Sequence, residues 1–243
     1  MKNIKILENE SFFELTLNRP EKRNALNEEL MLELTESLKT LNIEHQKYLV
    51  LTGEGHTFCS GADLNWMKSM AEFSFDENKK DSEKLFDLFN ALYNFKLPVI
   101  SLVKGAAFGG ALGLIAASDF VFMEENTKLC FSEVKLGLSP AVISTFVLNK
   151  TNLLNSYMLS GQLFSEKEAL TSGLSNGYLE DFDGLTQSLM QSGQEALIET
   201  KTLLKKQRPL LPESYKDLTT ETIAKLRLTD EAQKRMKSFL QKK

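Results

Sequence analysis

The sequence predicts an α/β protein in which pairs of short strands, rather than single strands, precede the helices. Two alternating segments, "NIKILEN" and "FFELTLN", come before any helical periodicity. Leucines at helical spacing follow them, and further apolar runs, "KYLVLTG" and "LPVISLVKG", then alternate with helical stretches. Alternation alone suggests a doubly wound sheet. The paired strands fit that arrangement less well.

Each element has a local cause. The first two strands meet at Glu10 and Ser11, and "NRPEKRNALN" interrupts them with Pro20 and a charge cluster. Asn27 is placed to cap a helix whose first turn holds Glu28 and Glu29, and Leu30, Leu34, Leu38 and Leu41 share one face of it. The strand "KYLVLTG" ends in the turn-rich "GEGHTFCSGAD", and a helix is predicted over 76–95 before "LPVISLVKG". After Asp119 come short strands at "FVFME" and around "KLCFSE", then "VKLGLSPAVIS" and a largely helical remainder. Nothing Pro/Ser-rich or repetitive divides the chain.

Composition excludes several function classes. The 243 residues suffice for one large domain or two modest ones with a real core. Thirty-three acidic against 29 basic residues give a net charge of -4, the opposite of a nucleic-acid footprint. Cys59 and Cys130 lie far apart and fit neither a disulfide framework nor a zinc site, so a reducing cytoplasm is the expected location. The first residues lack the uncharged core of a signal peptide, and no window approaches the roughly 18 apolar residues of a membrane span.

Three stretches carry candidate chemistry. In "GAAFGGALGLIAASDF" (105–120) a nearly bare backbone follows a strand and opens an apolar helix from about Gly110 to Ala117. Neither GxGxxG nor GxxxxGK[ST] is present, so a phosphate cradle is disfavoured. The unpaired N–H groups at such a helix start can hold an anion, or the small residues serve only close packing of helix on sheet. "FCSGADL" (58–64) is a second small-residue turn, in which Asp63 is equally a helix N-cap. Glu133 stands among Phe131, Val134, Leu136 and Leu138, where desolvation would raise its pKa toward neutrality, though a surface glutamate has the same sequence signature. His45 and His56 sit in charged or glycine-rich loops without a hydrolase motif nearby.

Together with "LNRPEKRNALN" (17–27) and "FSEVKLGLSPAVIS" (131–144), these stretches resemble the successive signatures of the crotonase, or enoyl-CoA hydratase/isomerase, superfamily over about 170 residues. The resemblance implies an α/β fold of repeated β-β-α units wound into a superhelix: a spiral core over 1–180 that carries the acyl-CoA site, and a helical C-terminal region over 181–243 that supports trimers or hexamers. It implies an acyl-CoA thioester as substrate, with no metal or further cofactor. The thioester oxygen would be held by the backbone N–H groups of Ala62 and Gly110, in a water-poor site where such donors are strongest. Glu133 would be the acid/base. Ala25, Ser60, Gly61, Asp63, Leu64 and Gly109 fall at the CoA and substrate positions. Trp66, Met67 and Met70 are candidates for an acyl pocket or for core, and Lys104 and Lys135 for meeting a substrate carboxylate.

One departure stands out. Crotonase-type hydratases use two glutamates, and Gly113 occupies the place of the first. The run from 105 to 144 resembles 3-methylglutaconyl-CoA hydratases most, which favours hydration of a 2-enoyl-CoA with Glu133 alone. Δ3,Δ2-isomerisation by that single carboxyl is the second reading, and a non-catalytic binding protein on the same fold is the third.

Overall fold

The computed structural model describes residues 2–208 and 211–241. The chain opens with the hairpin β1 (Ile4–Glu8) and β2 (Phe12–Leu17), antiparallel with Ile4 opposite Leu17. Then follow α1 (Glu28–Thr40), β3 (Tyr48–Gly53), α2 (Leu64–Met70), α3 (Phe75–Tyr93), β4 (Val99–Val103), β5 (Ala106–Phe108), α4 (Gly110–Ala117), β6 (Phe120–Met123) and β7 (Lys128–Cys130). The remainder comprises α5 (Ala141–Lys150), α6 (Asn155–Ser160), β8 (Leu163–Ser165), α7 (Glu166–Ser172), β9 (Gly177–Tyr178), α8 (Phe182–Gln191), α9 (Gln194–Lys206), α10 (Lys216–Arg227) and α11 (Asp230–Gln241). The helix predicted over 76–95 runs Phe75–Tyr93, with Ser74 and Glu77 forming its capping box. Asn27 caps α1 by accepting the Leu30 N–H at 3.0 Å.

The paired strands resolve into two ladders. One sheet runs β1-β2-β3-β4-β6-β9, parallel from β2 onward, and a second runs β5-β7-β8. Isolated bridges Leu26↔Ala62 and Cys59↔Ala107 extend the second ladder back into the earlier turns. Each turn of the chain thus lays one strand on each ladder before its helix, which is the repeated β-β-α superhelix, followed by helices α8 to α11. A doubly wound sheet would have left the second ladder without an explanation.

Two-residue periodicity sorts β3 between two apolar layers. Leu49 and Leu51 enter the main core, built with α1, α3, α4 and α5. Tyr48 and Val50 face the other way, where Ile100, Phe122 and Leu189 meet them beneath α8 and α9. The buried Lys201 of α9 donates to the Leu97 carbonyl at 2.7 Å and pairs with Asp119 at 2.5 Å, fixing the helix to the strand ends. Strands β8 and β9 interrupt the C-terminal part that the sequence predicts as helical. The strand expected around "KLCFSE" stops at Cys130, and Glu133–Leu136 is a 3-10 turn. Among the described residues no helix is long and apolar enough to cross a membrane.

Candidate active site

Two glycine turns from neighbouring coils of the spiral meet beside one cleft of about 560 Å³. Gly61 has φ +89, and a Cβ there would lie 2.8 Å from the Phe108 carbonyl oxygen. Gly109 has φ +53, and a Cβ there would lie 2.9 Å from Glu133 Oε1. Only glycine supplies both the backbone conformation and the close approach.

These turns leave two amides unused. At the Leu26↔Ala62 bridge, Leu26 N–H donates to the Gly61 carbonyl at 2.7 Å and Asp63 N–H donates to the Leu26 carbonyl at 2.8 Å. The Ala62 N–H between them has no acceptor among the described residues. Gly110 is the first residue of α4, so its N–H lies ahead of the intrahelical ladder at the positive end of the helix, and it too finds no acceptor there. Ala62 and Gly110 both line the cleft.

Glu133 opens the 3-10 turn after β7, also on the cleft wall. Gly137, in the left-handed region, closes that turn, and Leu138 N–H donates back to the Glu133 carbonyl at 3.0 Å. Oε1 sits against Gly109, while Oε2 is buried and without a hydrogen-bond partner among the described residues. Burial pushes this carboxyl up to about 7, because the charged form has lost its water and gained no cation. The arrangement holds a group that can accept or release a proton near neutrality, on the same cleft as two backbone donors free among the described residues.

The other expected residues divide clearly. Ala25, Ser60, Leu64 and Gly109 line the same cleft, as do Trp66, Met67 and Met70, whereas Gly61 lies behind the wall and shapes it. Asp63 also borders the cleft, but its carboxylate is committed: Oδ2 pairs with Arg19 Nη2 at 2.9 Å, and Oδ1 accepts the Asn65 N–H at 2.8 Å as the cap of α2. Burial raises its pKa, and the Arg19 and backbone hydrogen bonds outweigh that and hold it below the usual carboxylate range. Arg19 Nη1 reaches the Ala25 carbonyl at 2.5 Å as well, tying the first two signatures together. Lys104 and Lys135 do not border the cleft.

The place of the missing glutamate is filled. A Cβ on Gly113 would lie 2.2 Å from Phe89 Cε2, and Phe89 is itself held edge-on by Phe146 at 5.6 Å between ring centroids. No carboxylate fits at 113 unless that ring moves. Sequence reasoning found Gly113 but not Phe89, whose apolar setting in α3 gives no sign of which helix it meets.

A second residue escaped the sequence reading. Arg227, the last residue of α10, is 6% exposed and borders the cleft near Trp66. Its Nη1 donates to Asp81 Oδ2 at 2.7 Å and Asn78 Oδ1 at 3.2 Å, while Trp66 Nε1 donates to Asp81 Oδ1 at 3.0 Å. Its Nε is buried without a partner among the described residues. Its neighbours "KLRLTDE" read as an ordinary solvated helix end.

Comparison with known proteins identifies the family. The family described as enoyl-CoA hydratase/isomerase matches residues 8–243. An enoyl-CoA hydratase crystal structure from Shewanella pealeana is similar with a TM-score of 0.79 and 34% identity, covering 99% of this chain and 94% of that one. The 2,3-dehydroadipyl-CoA hydratase of Escherichia coli is 28% identical over 239 residues, 94% of this chain and 92% of its own. An enoyl-CoA hydratase structure from Bacillus halodurans shares the fold at a TM-score of 0.88 and 22% identity, over 97% and 99% of the two chains. The chain is therefore an enzyme of the enoyl-CoA hydratase/isomerase family, built on the crotonase superhelix and carrying that family's type of acyl-CoA catalysis.

Proposed function

We propose that this enzyme adds water to a 2-enoyl-CoA and, in reverse, removes it. The thioester oxygen takes the Ala62 and Gly110 N–H groups. The Glu133 carboxylate accepts a proton from water as its oxygen bonds to the β carbon, and the electron pair displaced from the double bond moves onto the thioester oxygen as an enolate. Glu133 then delivers the same proton to the α carbon, so one carboxyl serves both steps. The observation that carries this reading is the Glu133 carboxyl, pushed up to about 7 with Oε2 unpartnered among the described residues, on the same cleft as two amides that have no acceptor among those residues. Ala25, Ser60, Leu64 and Gly109 would line the path of the bound thioester, with Gly61 and Asp63 shaping it.

A second reading has its own support. With Phe89 closing the slot at Gly113, the remaining acidic residues on the cleft are Asp63, held by Arg19, and Glu21. A lone acid is sufficient to take a proton from the α carbon of a 3-enoyl-CoA and return it at the γ carbon, which is Δ3,Δ2-isomerisation. The resemblance of the run from 105 to 144 to 3-methylglutaconyl-CoA hydratases supports hydration, as does the relative from Escherichia coli, a hydratase by name.

Incubation with 2-enoyl- and 3-enoyl-CoA thioesters in isotopically labelled water, followed by mass analysis, separates the outcomes. Labelled oxygen in a 3-hydroxyacyl product supports hydration, and movement of the double bond without oxygen uptake replaces it with isomerisation. Tight binding with neither product leaves only the non-catalytic reading. Assembly as a trimer or hexamer is part of the same proposal, supported by the exposed Leu203, Leu204 and Leu218 on the C-terminal helices, and light scattering tests it.

A further inference from the structure

Arg227 presents a donor set that its own fold uses only in part. A guanidinium carries five N–H donors, and a carboxylate or other oxygen binds best along an edge formed by two of them. Nη1 carries both of the hydrogen bonds that Arg227 side-chain atoms make to Asp81 and Asn78. Nη2 has no acceptor among the described residues and stays accessible at the cleft, whereas Nε lacks one too but is closed off from water. A buried donor left this way costs stability, so a purely structural tie between α10 and α3 would be better made by a residue without it.

The surroundings show where an acceptor would come from. Arg227 borders the cleft together with Trp66 and Met67 of α2, Ile223 of its own helix, and Met236 of α11. The side chains of these four residues offer no oxygen. Asp81, the one carboxylate paired with Arg227, is spent on Nη1 and on the Trp66 indole. Glu133 and Gly110, the groups proposed to act on the thioester, border the same cleft.

We propose that Arg227 is a specificity-determining residue, whose free Nη2 donors bind an oxygen acceptor on the acyl chain of the thioester. The inference rests on the reading of the cleft as an acyl-CoA site. An alkyl chain would bury Nη2 unpaired, whereas a hydroxyl, carbonyl or carboxylate oxygen satisfies it. Sites built to hydrogen-bond a substrate discriminate against analogues that lack the partner group far more strongly than apolar pockets discriminate by size.

Saturated CoA thioesters of matched chain length, ending in methyl, hydroxymethyl or carboxylate and spanning short to medium chains, test this with the whole enzyme. Calorimetry is expected to show an oxygenated chain binding about ten- to a hundredfold more tightly than its alkyl match. Whether hydroxyl or carboxylate binds best then identifies the acceptor. Arg227→Lys keeps a cation for Asp81 but removes the Nη2 donors, and it is expected to bring that preference to within about twofold while the melting temperature shows the helix still docked. Should the variant fail to fold, the Arg227 Nε resonance in the wild-type protein decides: it is expected to shift with the oxygenated thioester and not with the alkyl one. Alkyl chains binding as tightly as oxygenated ones, a preference unchanged in Arg227→Lys, or an unmoved Nε resonance would each overturn the inference. Failure of every thioester to bind would instead overturn the acyl-CoA reading of the cleft.

Discussion

Two carboxylates, Glu133 and Asp63, border the same cleft and have opposite fates. Asp63 meets a guanidinium and a helix N-terminus, and its pKa is lowered despite burial. Glu133 meets a glycine turn and apolar side chains, and burial alone pushes it up to about 7. The difference lies in the partners that each side chain finds, since both are removed from water. It separates a carboxylate that holds the wall in place from one that is free to exchange protons.

The largest test of that contrast is Glu133→Gln. Turnover is expected to fall by about 10²–10⁴-fold with thioester affinity nearly unchanged, measured by steady-state kinetics beside calorimetry. The wild-type kcat/KM for hydration should rise with pH through about 7, because the ionised form accepts the water proton. A variant with wild-type turnover would remove Glu133 from the chemistry. Gly110→Pro comes next. Proline is tolerated at the first helical position and puts a ring carbon where the N–H pointed, so a loss of about 10²–10³-fold is expected relative to Gly110→Ala, which shares the contact with Leu26 Cδ1.

Asp63→Asn should act on the other side of the comparison. Breaking its pair with Arg19 is expected to lower stability by about 3 kcal/mol in chemical denaturation, with kcat changed much less than in Glu133→Gln. Gly113→Ala probes the filled slot. Overpacking against Phe89 is expected to cost about 2 kcal/mol, and Phe89→Leu in the same chain should recover part of it. The smallest effect is a pH dependence of stability. Between about 4.5 and 7 the folded chain retains a proton on Glu133 that the unfolded chain has released, so stability falls as pH rises through that window. Glu133→Gln lacks this term and should be the more stable protein at pH 8 by about 1–2 kcal/mol, allowing for the access of water to the cleft.

The sequence disclosed those features whose cause is local. The α4 helix is legible because a run of small and large apolar residues lies between a glycine turn and Ser118, and α1 because Asn27 and the leucine spacing mark its start and its buried face. Strands β8 and β9, three and two residues long, are not legible, since they exist only by pairing with β7 and β6. The same division holds in the cleft. Ala62, Gly110 and Glu133 sit in glycine turns or apolar runs that single them out. Phe89 and Arg227 acquire their significance only when α3 and α10 are packed against other parts of the chain.

The two free amides come from successive coils stacked on one ladder, where neighbouring strands lie about 4.8 Å apart. Their spacing is therefore a property of main-chain pairing, which side-chain exchange hardly alters. The far wall, by contrast, is assembled from helices α2, α10 and α11. New acyl groups could be accommodated by rebuilding that wall while the electrophile-activating part stays as it is, so selectivity and reactivity can change independently of each other in this architecture.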